Sequence, residues 1–133
     1  MKFCSVESFT GGLFASKIVQ RPGASKYFAG SIVAYSNQVK EKLGIDTSKG
    51  IINANVALEM AKKGKAFFEA DLCFSFTGNA GPDAWDNKEV GLVYIGINDQ
   101  VYEFKLKGSR EQIQNQACDF ALEKLDQLLE KQI

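Results

Sequence analysis

The chain has 133 residues, of which 16 are Lys or Arg and 16 are Asp or Glu, so its formal net charge is zero. This length suits one domain with a buried core, predicted over residues 1–133, and the balanced charge argues against a nucleic-acid partner. The sequence has no apolar run near the roughly 20 residues of a membrane span and no recognisable signal peptide. We therefore expect a cytoplasmic protein without a membrane partner.

The sequence contains no histidine. An imidazole base and a His-ligated metal are thereby excluded within one subunit, so a nucleophile would need Lys, Tyr, Asp or Glu as its base. We expect neither a metal nor a cofactor. Cys4, Cys73 and Cys118 lack metal-binding spacing and are predicted to be buried small hydrophobic residues. Their odd number suits a reducing compartment.

In chain order, the hydrophobic pattern predicts strands and helices in the order β-α-β-α-α-β-β-β-α. A strand over 2–6 leads to a helix over 10–19, and an aromatic and β-branched run predicts a strand over 27–35. Ser36 or Asn37 caps a helix that ends at Gly44.

Asn53 or Asn55 caps the third predicted helix, whose buried stripe is Val56, Met60, Gly64 and Phe67. Strands follow over 72–76, 91–97 and 101–106, the last two joined by a tight turn at 98–99. The S-x-x-Q capping box at Ser109 then opens the final helix.

This alternation predicts an α/β fold, a three-layer α/β/α sandwich with a mixed sheet of about five strands. Ligands bind such sheets where loops leave the carboxyl ends of strands. Three polar or glycine-rich loops do so, over 7–12, 35–37 and 77–82, and they are candidates for one shared site.

The loop Glu7-Ser8-Phe9-Thr10-Gly11-Gly12 lies between a strand and a helix start, where free N–H groups bind anions or stabilise an oxyanion. Ser8 is therefore a candidate nucleophile or anion ligand. A plain helix-capping role for Ser8 and Thr10 is equally compatible with the local sequence.

Tyr35 and Lys40 are spaced so that both can face the same cleft, and a desolvated lysine can act as a base near neutral pH. Lys40 could equally be a solvated surface lysine. Gly78 and Gly81 allow close backbone approach to a ligand, or form a plain turn. Arg110, in the first turn of a helix, opposes the macrodipole, which an anionic ligand or a salt bridge with Glu111 or Asp119 would explain.

Together these motifs resemble the C-terminal domain of CinA, the nicotinamide-nucleotide amidohydrolase family. The resemblance rests on five motifs in register and covers nearly the whole chain: Glu7 to Gly12, Pro22 to Phe28, Tyr35-Ser36-Asn37 with Lys40, Thr77-Gly78 with Ala80-Gly81-Pro82, and Gly108-Ser109-Arg110. It implies metal-independent hydrolysis of the carboxamide of nicotinamide mononucleotide, a small-molecule pyridine nucleotide, to nicotinate mononucleotide and ammonia.

The resemblance also implies roles for individual residues. Ser8 would be the nucleophile, with Tyr35 and Lys40 assisting its deprotonation. The substrate-binding residues would be Glu7, Thr10, Gly11, Gly12, Ser36, Asn37, Thr77, Gly78, Gly81 and Arg110.

The chain departs from the family pattern at several positions. Phe9 replaces a cysteine, Gly-Ser-Arg replaces Gly-Asp-Arg, and Asp83-Ala84-Trp85-Asp86 replaces a glycine-rich loop. A helix that precedes the first strand in most members is missing, so we expect a homo-oligomer that covers this side. The alternatives to an amidohydrolase are a catalytically silent nucleotide-binding or interaction module and, ranked lowest, a DNA-associated competence factor.

Overall fold

A computed structural model describes residues 1–131, and its elements follow the predicted order. The strands are β1 (Phe3–Glu7), β2 (Phe28–Val33), β3 (Leu72–Gly78), β4 (Leu92–Ile97) and β5 (Gln100–Lys105). The helices are α1 (Leu13–Val19), α2 (Asn37–Lys42), α3 (Ala54–Phe68) and α4 (Arg110–Glu130), with a short 3-10 turn at Ala24–Lys26.

The five strands form one mixed sheet, as predicted, and their order in the sheet is β2-β1-β3-β4-β5. β1 runs parallel to both β2 and β3, whereas β4 and β5 are antiparallel additions. The predicted two-residue turn joins β4 to β5, with Asn98 at a φ of 54°. Because β1, β2 and β3 are parallel, their carboxyl ends meet at one edge of the sheet, and the three candidate loops leave from there.

Helices cover both faces of the sheet and complete the three layers. α1 and α4 pack on one face through Phe14, Ile18 and Ile113. α2 and α3 pack on the other, where Val56 and Met60 of α3 contact the sheet. β1 is buried along its whole length because helices lie on both sides of it.

The helix caps follow the sequence signals. Ser36 accepts a hydrogen bond from the backbone N–H of Val39, and Asn53 accepts one from Val56. Ser109 and Gln112 form the predicted capping box of α4.

Three boundary or orientation predictions were wrong. α1 begins at Leu13 rather than residue 10, and β2 ends at Val33 rather than residue 35. Phe67 is 65% exposed instead of lining the buried stripe of α3. The last turn of α3 packs on β2 through Phe68, whose ring lies over Gly30, so the buried stripe shifts by one residue.

All three cysteines are buried and free, as predicted, and burial raises the pKa of the Cys118 thiol to about 12. Within residues 1–131, none of the helices has the combination of length and apolar character needed to cross a bilayer.

Candidate active site

The three candidate loops converge on one open cavity of about 710 Å³. Its lining residues come from the carboxyl ends of β1, β2 and β3, from the segment before α3, and from the start of α4: Ser8, Phe9, Tyr35, Ser36, Asn37, Ile51, Gly78, Asn79, Ala80, Gly81, Pro82, Asp83, Trp85 and Arg110. The three loops therefore line one shared cavity, as the arrangement of parallel strands predicted.

Ser8 lies at the end of β1 and is held on both sides by the neighbouring strand ends. Its N–H donates to the carbonyl of Phe76 at 3.0 Å, and its carbonyl accepts from Gly11 N–H at 3.0 Å. The preceding residue, Glu7, accepts at its carbonyl from Ala34 N–H at 2.8 Å. The Ser8 hydroxyl thus projects into the cavity from a backbone fixed by the sheet.

Lys40 of α2 is fully buried, and its ammonium reaches Ser8 from below the cavity. The Nζ lies 2.9 Å from Ser8 Oγ, 2.8 Å from Ala34 O and 3.0 Å from Tyr35 O. The interpretation of Lys40 as a solvated surface residue is therefore wrong.

The surroundings of Lys40 favour its neutral form. All three partners are uncharged oxygens, and within residues 1–131 no carboxylate forms an ion pair with it. Burial lowers the pKa of Lys40 from 10.5 to about 8, because the charged ammonium loses hydration without gaining a counter-ion. At pH 7 roughly one molecule in ten then carries a neutral amine, against about one in three thousand at the ordinary pKa.

The neutral amine has the geometry of a base for Ser8. An amine has two N–H donors and one lone pair. If its donors bind the carbonyls of Ala34 and Tyr35, the lone pair faces the Ser8 hydroxyl, which becomes the donor. The two carbonyls therefore orient Lys40 toward proton abstraction.

Glu7, predicted to bind substrate, is instead fully buried and lies outside the cavity. Its carboxylate accepts from the N–H groups of Gly12, Phe14 and Ala15 at 3.0–3.2 Å. Hydroxyls supply the remaining donors, from Thr10, Ser5 and Ser31. Glu7 therefore anchors the loop by satisfying the first N–H groups of α1.

Thr10, Gly11 and Gly12 likewise lie outside the cavity lining. Thr10 is buried with its hydroxyl on Glu7. Gly11 and Gly12 adopt φ values of 58° and 97°, a left-handed conformation that favours glycine, and they delay the start of α1 to Leu13. The predicted use of α1 N–H groups by a ligand is therefore wrong, since Glu7 occupies them.

Two other N–H groups of the loop are left without a protein acceptor. In the part of the chain that the structure describes, the backbone N–H groups of Phe9 and Thr10 donate no hydrogen bond. Phe9 itself lines the cavity, and its carbonyl accepts from Gln114 of α4 at 2.9 Å.

Tyr35 lines the cavity, but its hydroxyl lies elsewhere than predicted. The side chain is 58% exposed, and its oxygen accepts from Arg110 Nη2 at 3.1 Å. Among the described residues it has no hydrogen bond to Ser8 or Lys40; its backbone carbonyl, not its phenol, contacts Lys40. The phenol lies at the rim of the cavity, where its contact with Arg110 holds it.

Arg110 lies at the cavity rim and bridges two of the loops. Its other guanidinium nitrogen donates to the carbonyl of Gly81. The salt bridge considered with Glu111 or Asp119 is not formed; Asp119 instead pairs with Lys17 at 3.3 Å. Arg110 therefore presents a positive charge without a carboxylate partner among residues 1–131.

The remaining predicted ligands divide into two groups. Ser36, Asn37, Gly78 and Gly81 line the cavity, and their role in binding substrate stays a prediction. Thr77 does not: it is buried, and its hydroxyl donates to the carbonyl of Ile51 at 2.6 Å. Its role is to hold the segment before α3 against β3.

Seven lining residues were not among the predicted site residues: Phe9, Ile51, Asn79, Ala80, Pro82, Asp83 and Trp85. Asn79 was recognisable from its place in the glycine-rich loop, and Asp83 and Trp85 follow Gly81-Pro82 directly. Ile51 precedes a distant helix, and no sequence signal places it here.

The fold and this site can be compared with known proteins. The model of the CinA C-terminal domain family matches residues 1–129. The chain belongs to the CinA C-terminal domain family.

Solved structures of the family have the same fold. A CinA superfamily protein from Escherichia coli is 28% identical, with a TM-score of 0.88 over 96% of this chain and 80% of that chain. A competence/damage inducible protein from Agrobacterium tumefaciens is 29% identical, with a TM-score of 0.86 over 96% and 85%. The family resemblance and the α/β fold are thereby confirmed.

A longer relative from Bacillus subtilis (strain 168), named "Putative competence-damage inducible protein", is 39% identical over 136 aligned positions. The alignment covers 96% of this chain and 33% of the relative. The chain thus spans about a third of the length of the curated relatives it matches.

Proposed function

We propose that the protein is a serine amidohydrolase that converts the carboxamide of nicotinamide mononucleotide to a carboxylate and releases ammonia. The observation that carries the proposal is the 2.9 Å contact between Lys40 Nζ and Ser8 Oγ at the floor of the cavity. Burial, which lowers the lysine pKa to about 8, makes this pair a base and a nucleophile that need no histidine.

In the first half-reaction Ser8 attacks the carboxamide carbon. Lys40 takes the hydroxyl proton as the Oγ–C bond forms, and the carbonyl oxygen becomes an oxyanion. The N–H group of Phe9, which lines the cavity and donates no hydrogen bond within residues 1–131, is the donor that the loop leaves for this oxyanion. Lys40 then gives its proton to the amide nitrogen, the C–N bond breaks, and ammonia leaves an acyl ester on Ser8.

The second half-reaction reverses the proton movements with water in place of Ser8. Lys40 removes a proton from water, the resulting hydroxide attacks the ester carbon, and the C–Oγ bond breaks. The proton returns from Lys40 to Ser8 Oγ, and the product acid releases its remaining proton to solvent and leaves as a carboxylate. Each step uses one base, consistent with the single buried lysine beside Ser8.

The cavity also suits the rest of a mononucleotide. Arg110 offers guanidinium donors at the rim to an anionic group such as a phosphate. Ser36, Asn37 and the backbone of Gly78 and Gly81 provide polar atoms along the wall for the ribose. The cationic pyridinium ring withdraws electrons from the carboxamide. Its carbon is therefore a better electrophile than that of an ordinary amide, and a serine activated by a lysine base can attack it.

The experiment is incubation with nicotinamide mononucleotide and measurement of ammonia and nicotinate mononucleotide. Ser8→Ala should lower turnover at least about 10⁴-fold, because the nucleophile is lost, while binding of the mononucleotide remains. Ser16→Ala, on an exposed serine of α1 outside the cavity, serves as the control for a serine substitution. Unchanged ammonia release in Ser8→Ala would refute the assignment.

A second candidate is a nucleotide-binding module without turnover. It is favoured by the occupation of the α1 N–H groups by Glu7, which leaves fewer donors for an oxyanion than the sequence predicted. Calorimetric binding of the mononucleotide by the wild-type protein without ammonia release would select this candidate.

A further inference from the structure

The turn that carries Trp85 has a well-defined backbone, although it lies at the edge of the cavity. Lys88 N–H donates to the carbonyl of Trp85 at 2.9 Å, and the two residues between them, Asp86 and Asn87, have φ values of 59° and 56°. Positive φ at both central positions is typical of a type I′ turn.

Two further contacts tie this turn to the body of the domain. Asp86 Oδ2 accepts from the N–H groups of Ile51 and Ile52 at 2.9 and 3.0 Å. On the other side, Asn79 Nδ2 donates to the carbonyl of Lys88 at 3.0 Å. The backbone position of Trp85 is thus set by hydrogen bonds on both sides of the turn.

The Trp85 side chain, by contrast, does little for the fold. It is 65% exposed, lines the cavity, and within residues 1–131 stacks on no other aromatic ring and receives no cation. Single exposed apolar side chains are common on protein surfaces, but this one has a fixed backbone and faces a binding cavity.

We propose that Trp85 is the stacking surface for the planar, positively charged ring of the ligand and makes the cavity select a pyridinium ring. Indole is the aromatic side chain that attracts cations most strongly through its face. The identity of the ligand rests on the proposed function, whereas the stacking role is a separate property of Trp85.

The first experiment uses Trp85 as its own probe, because it is the single tryptophan of the chain. In Ser8→Ala, which prevents turnover, selective excitation of the indole is followed during titration. Nicotinamide mononucleotide should quench the emission saturably, and ribose 5-phosphate, which lacks the ring, should not. No change with the mononucleotide, or equal quenching by ribose 5-phosphate, would overturn the stacking role.

The second experiment separates binding from folding in the otherwise wild-type protein. Trp85→Ala should raise KM for nicotinamide mononucleotide roughly five- to thirty-fold with kcat nearly unchanged, and Trp85→Phe should raise it less. Phe67→Ala is the matched control, since Phe67 is equally exposed, at 65%, but lies outside the cavity. An unaltered KM in Trp85→Ala, or an equal rise in Phe67→Ala, would count against the proposal.

These outcomes distinguish the two hypotheses. If the wild-type protein releases ammonia and Trp85→Ala has the wild-type KM, the amidohydrolase proposal holds and the stacking role is refuted. Quenching by the mononucleotide without ammonia release would support Trp85 stacking and refute hydrolysis. Absence of both binding and turnover would refute both.

Discussion

Glu7 and Lys40 are both fully buried, charged and within one residue or one hydrogen bond of Ser8, yet their surroundings differ. The Glu7 carboxylate accepts six hydrogen bonds, three of them from the positive end of α1. The Lys40 ammonium has three neutral oxygen partners. The start of α1 compensates the anion, whereas no carboxylate within residues 1–131 pairs with the cation.

This difference gives Glu7 a structural role and Lys40 a role in the chemistry. Six donors fix the Glu7 carboxylate, and with it the backbone that carries Ser8. The uncompensated ammonium of Lys40 loses its proton more readily, and this is the property that a general base requires. Neighbouring buried charges therefore have opposite expected roles, and substitutions can test each one.

Among substitutions of the two buried charges and of Tyr35, the largest effect is expected from removing the lysine. Lys40→Met, of similar volume but without a titratable group, should lower kcat by ~10³-fold, the usual contribution of a general base. Lys42→Met, two residues later on the exposed side of α2, is the matched control and should retain activity. A kcat close to wild type in Lys40→Met, with only KM raised, would reduce Lys40 to a binding residue.

The same residue predicts the pH dependence of the wild-type enzyme. Lys40 acts as a base only when neutral, so kcat/KM should rise with pH and level off above the pKa of about 8. The Lys42→Met profile should coincide with that of the wild type. A flat wild-type profile through this range would show that Lys40 does not control the rate.

Glu7→Gln tests the structural half of the comparison. The amide lacks the negative charge, and its NH₂ group would face the N–H and O–H donors that now bind the carboxylate. We therefore expect the free energy of unfolding, measured with urea, to fall by about 2–3 kcal/mol. Ser31→Ala, which removes one hydroxyl donor at 3.2 Å, should cost about 1 kcal/mol or less. Equal stability of Glu7→Gln and wild type would mean that the carboxylate network contributes little.

The smallest effect is expected at Tyr35, where sequence and structure disagree about the phenol. Tyr35→Phe removes the 3.1 Å contact with Arg110 at an exposed rim, so kcat/KM should fall by no more than about threefold. Steady-state kinetics at several pH values provide the measurement. A hundredfold loss of kcat/KM would instead support the role in proton transfer that the resemblance implied for the Tyr35 phenol.

Much of the fold could be predicted because its signals are local. The order of strands and helices follows from hydrophobic period, and the Ser36, Asn53 and Ser109 caps from short-range backbone chemistry. The convergence of three loops followed from parallel strands, whose carboxyl ends share an edge. Phe67 was misplaced because its exposure depends on which residue of α3 meets β2 across Gly30.

Within the site, the residue types that could supply a nucleophile and a base were evident from the sequence, since the absence of histidine left few bases and the motif at residues 7–12 presented Ser8. Only the tertiary structure decided their partners. Lys40 reaches Ser8 across 32 positions of the chain, while Glu7 folds back onto α1 and Tyr35 onto Arg110. Hydrogen bonds between residues far apart in the chain depend on how the helices pack on the sheet, and the local sequence does not encode that packing.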